Sequence, residues 1–412
     1  LRLYLTTMKT TGSVTDGFLP AARALGREVT ILTDRPDDYR AMGAEVIGCD
    51  VRDPRAVIDV IAHHHAPEAV FTNSDHIQAE TALAASYFGL PGKDWRACAT
   101  AKNKALMRRE LARAGVETVR SARLSPGDAV PSDVPLPAVV KPREGVASED
   151  VVYVETSAEL ADAVQAIRAR RPGESLVVEE YLAGPLHTLE TLGADGGAEP
   201  LVLGGFTTTL GPLPYFVEER LDWHPDGPHE HVLGALRALG VGFGACHTEY
   251  VVTESGPRII EINYRLIGDD CDFLLADLLG VPLHEWILRV HLGEGLPTAP
   301  PSPPLNGAAN TTANATAGAT AGGTANRAVH GAALGLVADR AGLVTRAAPP
   351  VDSETAGPVR LWHRPLRAEG DRIEHTGTNR DYLGLLRVIG PGRAEVDAAV
   401  TAFQTTRGWT IS

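Results

Sequence analysis

Residues 247–265 read HTEYVVTESGPRIIEINYR. The turn ESGP separates two runs of strand composition, with Glu249 on the first and Glu261, Asn263 and Arg265 on the second. Successive side chains of a strand point to opposite faces, so Glu261, Asn263 and Arg265 share one face while Ile260, Ile262 and Tyr264 supply a buried one. Pairing across the turn brings Glu249 beside Glu261. Two carboxylates and an amide oxygen on one surface form a hard oxygen site, suited to magnesium with bound phosphates. Arg265, facing the same place, suits a transferring phosphoryl group or an acyl-phosphate oxygen. Alternating polar residues usually mark a solvated face. Here three different polar types stand opposite an apolar face, which favours a site.

The elements that must hold these residues are legible in outline. Residues 1–95 alternate short apolar runs (LRLYLTT, EVTILTD, AEVIGCD, AVFTN) with helical patterns, the last of them HIQAETALAASYFG. This alternation predicts a parallel sheet covered by helices, with ligands at the strand ends. Residues 98–117 have helical spacing throughout and read as one helix ending at Gly115. A Pro-rich loop leads to the strand AVVKP, and VVYVET and LVVEEYL follow as strands. From Pro185 to Arg265 the pattern is mainly strands (HTLETLGAD, EPLVLGGFTTT, HTEYVVTE, PRIIEINYR), implying an antiparallel sheet. Helices follow near 270–279 and 283–292. Residues 307–326 contain only Gly, Ala, Asn and Thr. They cannot bury enough apolar area to offset ordering entropy, so a disordered insert is expected there. The fold class is α/β. The expected divisions are an α/β domain at 1–97, a second domain at 98–300 that carries the Glu249–Arg265 hairpin, the insert at 301–327 and a C-terminal lobe at 328–412.

Composition narrows the function classes. The net charge of −14, with no basic stripe, argues against a nucleic-acid partner. No run of about 20 apolar residues exists to span a membrane, and LRLYLTT runs directly into strand and helix patterns without a signal-peptide cleavage site. A cytoplasmic protein is expected. Cys49, Cys98, Cys246 and Cys271 lack metal-ligand spacing and read as small buried residues. His63, His64 and His65 are successive and are not expected to face one metal.

The pair HxE, followed 12 residues after its Glu by E-I-N-x-R, resembles the magnesium signature of the ATP-grasp superfamily, biotin carboxylase and the L-amino acid ligases included. The resemblance implies an ATP-grasp fold: an N-terminal doubly wound domain, a two-part nucleotide- and metal-binding domain at 98–300 and a small C-terminal lobe. It implies ATP and Mg2+ as cofactors, with Glu249, Glu261 and Asn263 as metal ligands and Arg265 serving the acyl-phosphate step. GLPG followed by AKNKALMRRELARAGV resembles the family's entry to the nucleotide domain, which makes Lys104 a phosphate contact. LPAVVKP resembles the strand with the second ATP lysine, Lys141. LVVEEYLAGPLHTLE resembles the adenine hinge, with backbone groups of Glu180 and Leu182 on the adenine edge, a carboxylate of Glu179 or Glu180 near the amino group or ribose, and His187 beside the ribose. The implied activity is a ligase that converts a carboxylate to an acyl phosphate and joins it to an amine, an amino acid or diamine, with release of ADP and phosphate. Homodimers are common among such proteins. The alternatives are a biotin carboxylase-like enzyme acting on bicarbonate and a non-catalytic nucleotide-binding module.

Two segments depart from the family pattern. The loop after Lys141, REGVASEDVVYV, carries Asp150 where Gly is common, so a stiffer and more acidic phosphate loop is expected. After Arg265 the chain continues LIGDDCDF in place of a Gly pair. Asp269, Asp270 and Asp272 would attract a cationic substrate if the bend at Gly268 turns them toward the reacting centre. One of them would alternatively cap the following helix.

Overall fold

The computed structural model describes residues 1–130, 132, 135–194, 199–296 and 329–412. The expected insert at 307–326 lies outside these residues. The chain opens with a four-stranded parallel sheet in the spatial order Glu45–Gly48, Val29–Thr33, Arg2–Thr7, Pro67–Phe71. Arg2–Thr7 and Val29–Thr33 are almost wholly buried, as parallel strands covered on both faces must be. A helical turn at Ser13–Phe18 leads without a break into Leu19–Ala24, so the loop after the first strand ends on a helix start.

The single helix expected over 98–117 is two helices, Trp95–Lys102 and Lys104–Arg113. Asn103 breaks the run by adopting an extended conformation (φ −94°, ψ 99°), and its side chain accepts from Leu106 N at 3.1 Å. It therefore acts as an N-cap inside a stretch of continuous helical periodicity.

A small antiparallel sheet follows, ordered Ser121–Leu124, Leu176–Glu180, Ala138–Pro142, Val152–Val154, with the Ser157–Arg170 helix packed on it. The third sheet has ten strands. From one edge it runs Gly256–Asn263, Phe243–Thr253, Leu186–Ala194, Phe206–Leu210, Glu218–Trp223, and then His330–Val337, Tyr382–Gly390, Val359–Pro365 and Val351–Ala356, with Leu201–Gly204 paired to Leu186–Ala194. The C-terminal strands thus extend the central sheet through the Arg220–Leu334 register. EPLVLGGFTTT forms two strands, Leu201–Gly204 and Phe206–Leu210, broken at Gly204 (φ 120°) and Gly205, where a Cβ would lie 2.0 Å from the Thr188 carbonyl oxygen.

One core joins the parallel sheet to the large one. Phe18 and Phe71, with ring centroids 4.7 Å apart, share it with Leu192, Phe206, Leu275 and Ile287. The parallel sheet and the large sheet are consequently fixed against one another. No helix among the described residues is long and apolar enough to cross a membrane. Of the four free cysteines, Cys98, Cys246 and Cys271 are buried.

Candidate active site

The sheets and the C-terminal lobe surround a cavity of about 620 Å³. One wall is the hairpin of Phe243–Thr253 and Gly256–Asn263, where Glu249 pairs directly with Glu261 and His247 with Asn263. The ladder slips after Glu249, so that Tyr250 faces Ile259. Ile260 is the extra residue of this bulge. It lines the cavity instead of the buried face expected for it, and Ile259 takes its place in the core. Ile262 and Tyr264 are buried as expected, at 2% and 3% exposure.

The expected metal ligands meet at this wall. Asn263 Nδ2 donates to Glu249 Oε1 at 3.3 Å. Lys104 Nζ lies 2.8 Å from Glu261 Oε1 and donates to the Gly145 carbonyl at 3.2 Å. Behind Glu249, His247 bridges Glu249 (3.4 Å) and Glu190 (2.7 Å). Burial opposes its charge, but the two carboxylates outweigh burial and hold its pKa up to about 10. Arg265 lies just past the strand end, 3.9 Å from Asp75, which is also paired with Lys102. Burial raises the Asp75 pKa; Lys102 and Arg265 overcome this and bring it down to about 2.

The second wall comes from the small sheet. Glu179 is buried and uses both oxygens: Arg108 Nε donates at 2.9 Å, Arg108 Nη2 at 3.2 Å, and Lys141 Nζ lies 2.7 Å away. It holds Lys141 in place and itself lines the cavity. Glu180 accepts from the Arg120 backbone at 2.8 Å and its side chain at 3.2 Å. Leu182 lines the cavity, and its N–H makes no hydrogen bond among the described residues. His187 departs from expectation. Leu186 and Thr188 line the cavity, and period two turns His187 to the other face, stacked on the buried Tyr250 with centroids 5.5 Å apart.

Loop 145–151 closes over this wall. Ala147, Ser148 and Asp150 all adopt left-handed backbone (φ 56°, 55° and 57°), the conformation Gly would take most easily. Its acidity is neutralised locally: Asp150 pairs with Arg170 (2.6 Å) and Arg171 (2.5 Å), and Glu149 with Arg171 (2.8 Å).

The three aspartates after Gly268 separate. Asp272 is fully buried, 3.1 Å from His284 Nε2. Asp270 occupies the helix N-cap position but makes no capping bond; it pairs with Arg364 of the C-terminal lobe at 3.1 Å. Asp269 lines the cavity and has no ion-pair partner among the described residues. Glu218 lines the same region. Burial and Glu249 push its pKa up to about 8. The histidine run lies past a helix end, and His63 stands apart from its two neighbours. The chain leaves its helix at Ala62, so ligating atoms of Glu45, His64 and His65 come within 4.8 Å of one another. Glu45 is already engaged by Thr30 and Arg2.

No protein-family model matches the chain. It is 28% identical to the uncharacterized protein y4rH of Sinorhizobium fredii over 343 residues, 79% of this chain and 64% of that protein. It is 24% identical to dapdiamide A synthase of Enterobacter agglomerans over 203 residues, 44% and 46% of the two chains. With carnosine synthase 1 of Gallus gallus the identity is 27% over 336 residues, 71% and 35%. The chain therefore spans less than two thirds of each of these relatives. The L-amino acid ligase from Bacillus licheniformis superposes with a TM-score of 0.75, covering 100% of this chain and 98% of that one at 19% identity. The chain has the ATP-grasp fold. The biotin carboxylase domain of Hydrogenobacter thermophilus 2-oxoglutarate carboxylase, solved with MgADP, ADP and bicarbonate, shares the fold with a TM-score of 0.68, over 100% of this chain and 90% of that one at 17% identity.

Within this ATP-grasp cavity several groups escaped the sequence reading. His247 belongs to the HxE motif, and its partner Glu190 sits two residues beyond Thr188 on the neighbouring strand, so period two could have found both. Arg108 meets Glu179 across 71 residues of chain, and Arg364 and Asn379 come from the C-terminal lobe. No local spacing announces those meetings.

Proposed function

We propose that this ATP-grasp protein is an ATP- and magnesium-dependent ligase. It would convert a carboxylate to an acyl phosphate and join it to an amine, releasing ADP and phosphate. The observation that carries the proposal is the placing of Glu249, Glu261 and Asn263 on one wall of a cavity that also presents Lys104, Lys141 and Arg265. Two directly opposed carboxylates and a carboxamide are hard oxygen donors, which fits magnesium better than a softer metal. Glu249, Glu261 and Asn263 would hold the ion, which when bound neutralises charge on the nucleotide phosphates.

The remaining roles follow from placement. Lys104 and Lys141, each steadied by a carboxylate, put two ammonium groups at the phosphates. The backbone at Glu180 and the free Leu182 N–H read the adenine edge. A carboxylate oxygen of the substrate attacks the γ-phosphorus and the bond to ADP breaks. The amine nitrogen then attacks the acyl carbon, phosphate departs with the bonding pair, and the nitrogen loses a proton. Arg265 stabilises the charge on the acyl phosphate. Catalysis is positioning and charge stabilisation, with no covalent enzyme intermediate. The names dapdiamide A synthase, carnosine synthase 1 and L-amino acid ligase support an amino acid as one substrate.

The test is phosphate release from MgATP across a panel of carboxylates paired with amines, run beside Glu261→Gln. The proposal expects release that needs both substrates and disappears in the variant. No substrate-dependent release by the wild type across amino acids, diamines and simple carboxylates would defeat it.

A further inference from the structure

The phosphate loop is held from outside its own domain. Three of its residues, Ala147, Ser148 and Asp150, sit in left-handed backbone that costs energy for residues bearing a Cβ. Such a shape persists only where surrounding contacts impose it. Arg170 and Arg171 grip Asp150 from the adjoining helix end. The other grip comes from the C-terminal lobe, at the Asn379–Asp381 turn. Asn379 N–H donates to the Ala147 carbonyl at 3.3 Å, and Arg380 is ion-paired with Glu149. The turn itself is braced, since the Asp381 carboxylate accepts from the Thr376, Gly377 and Thr378 amides. The Asn379 side chain reaches the opposite way. Its Oδ1 accepts from Glu218 N at 3.0 Å and its Nδ2 donates to Glu218 Oε2 at 3.2 Å. One residue therefore touches both the phosphate loop and a cavity-lining carboxylate near the proposed metal site.

We propose that Asn379 and Arg380 are positioning residues: the C-terminal lobe latches the phosphate loop into its strained, closed shape and ties that shape to Glu218. The proposal rests on the nucleotide-binding reading above. Residues 145–148 line the cavity beside Lys104 and Lys141, where the phosphates would lie, and among the described residues neither Asn379 nor Arg380 bonds to residues 180–182 at the proposed adenine end. Loss of the latch therefore weakens binding through the phosphates and leaves the nucleoside end alone. Arg380 is 56% exposed at its side chain, so its removal leaves the core intact.

The experiment measures, by calorimetry on the full chain with Mg2+, the binding of a non-hydrolysable ATP analogue, and separately of adenosine. Melting temperature is followed in parallel. Arg380→Glu sets a like charge against Glu149 and is expected to weaken the analogue at least about fivefold, while Arg380→Lys retains wild-type affinity. Asn379→Ala keeps the backbone N–H on Ala147 but cuts the tie to Glu218, and is expected to weaken the analogue by a similar factor. Adenosine affinity should stay unchanged in all three and melting temperature in the two Arg380 variants, while Asn379→Ala, which leaves Glu218 N and Oε2 without that partner, melts somewhat lower. Equal analogue affinity in Arg380→Glu, Asn379→Ala and wild type overturns the latch and leaves the ligase reading standing. Equal losses for analogue and adenosine also overturn it, since they mean general distortion. A wild type that binds neither overturns both readings.

Discussion

Replacing Glu179 with Gln keeps the shape of the side chain and removes one buried charge. Arg108, Glu179 and Lys141 have side-chain exposures of only 3%, 4% and 6%, so water cannot compensate for the change. Burial alone would raise the Glu179 pKa; Arg108 and Lys141 outweigh it and bring it from 4.5 down to about 2. At about 1.4 kcal/mol per pH unit, that depression corresponds to about 3 kcal/mol of stability. The figure matches the roughly 3–5 kcal/mol expected when one member of a buried ion pair is removed. Because the folded-state pKa lies below the unfolded one, the contribution is complete above 4.5 and fades as pH falls toward 2. Urea denaturation of wild type and Glu179→Gln should therefore differ by about 3 kcal/mol at pH 7, with roughly half of the gap remaining near pH 3. Lys141 is already pulled down by burial and held up by Glu179. The variant should thus lose ammonium character at Lys141 and bind MgATP more weakly. A gap below about 1 kcal/mol at pH 7, or one that grows on acidification, would refute the reasoning.

Glu261→Gln removes a charged donor from the proposed metal wall and frees Lys104; turnover should fall below detection with the melting temperature within a few degrees of wild type, read by coupled ADP release and thermal denaturation. Asp269→Asn should lower kcat/KM for a cationic amine at least about tenfold more than for a neutral one, or about 1.4 kcal/mol, because Asp269 is the aspartate of its trio that faces the cavity unpaired among the described residues; equal losses for the two amines would remove any role in charge selection. Gly193→Ala should cost at least about 2 kcal/mol in denaturation experiments, since its Cβ would lie 1.7 Å from the Gly242 carbonyl oxygen and backbone must move.

The legible parts of this chain were those with a short period. Alternation put Glu261 and Asn263 on one face, but the two-residue turn at Glu254 and Ser255 alone would set Glu249 opposite Ile260, and the bulge at Ile260 is what brings Glu261 there. The parallel sheet of the first 71 residues was likewise written in buried apolar runs separated by helical stretches. The failures came where tertiary contacts override local pattern. Glu218–Trp223 is a central strand, yet its polar composition hides it: Arg220 pairs with Asp222 and with Asp397 of the last helix, Asp222 bonds to His330 across the sheet, and Glu218 accepts from Asn379. A bulge shifted Ile260 from core to cavity, and strand alternation turns His187, which the resemblance set beside the ribose, away from the cavity that Leu186 and Thr188 line. The pairing of Glu179 with Arg108 was hidden because the two are distant in sequence. Of the three aspartates, Asp272 went into the core with His284, a pairing that spacing alone does not reveal.

Transfer of oxygen from the substrate carboxylate to phosphate tests the central claim most directly. Using the carboxylate and amine that support turnover, the carboxylate is labelled with 18O and the released phosphate is examined by mass spectrometry. An acyl phosphate requires one carboxylate oxygen to leave on phosphorus, so the account predicts one labelled oxygen in each phosphate, with ADP and amide formed in equal amount. Unlabelled phosphate, or label appearing in AMP with release of pyrophosphate, would contradict it.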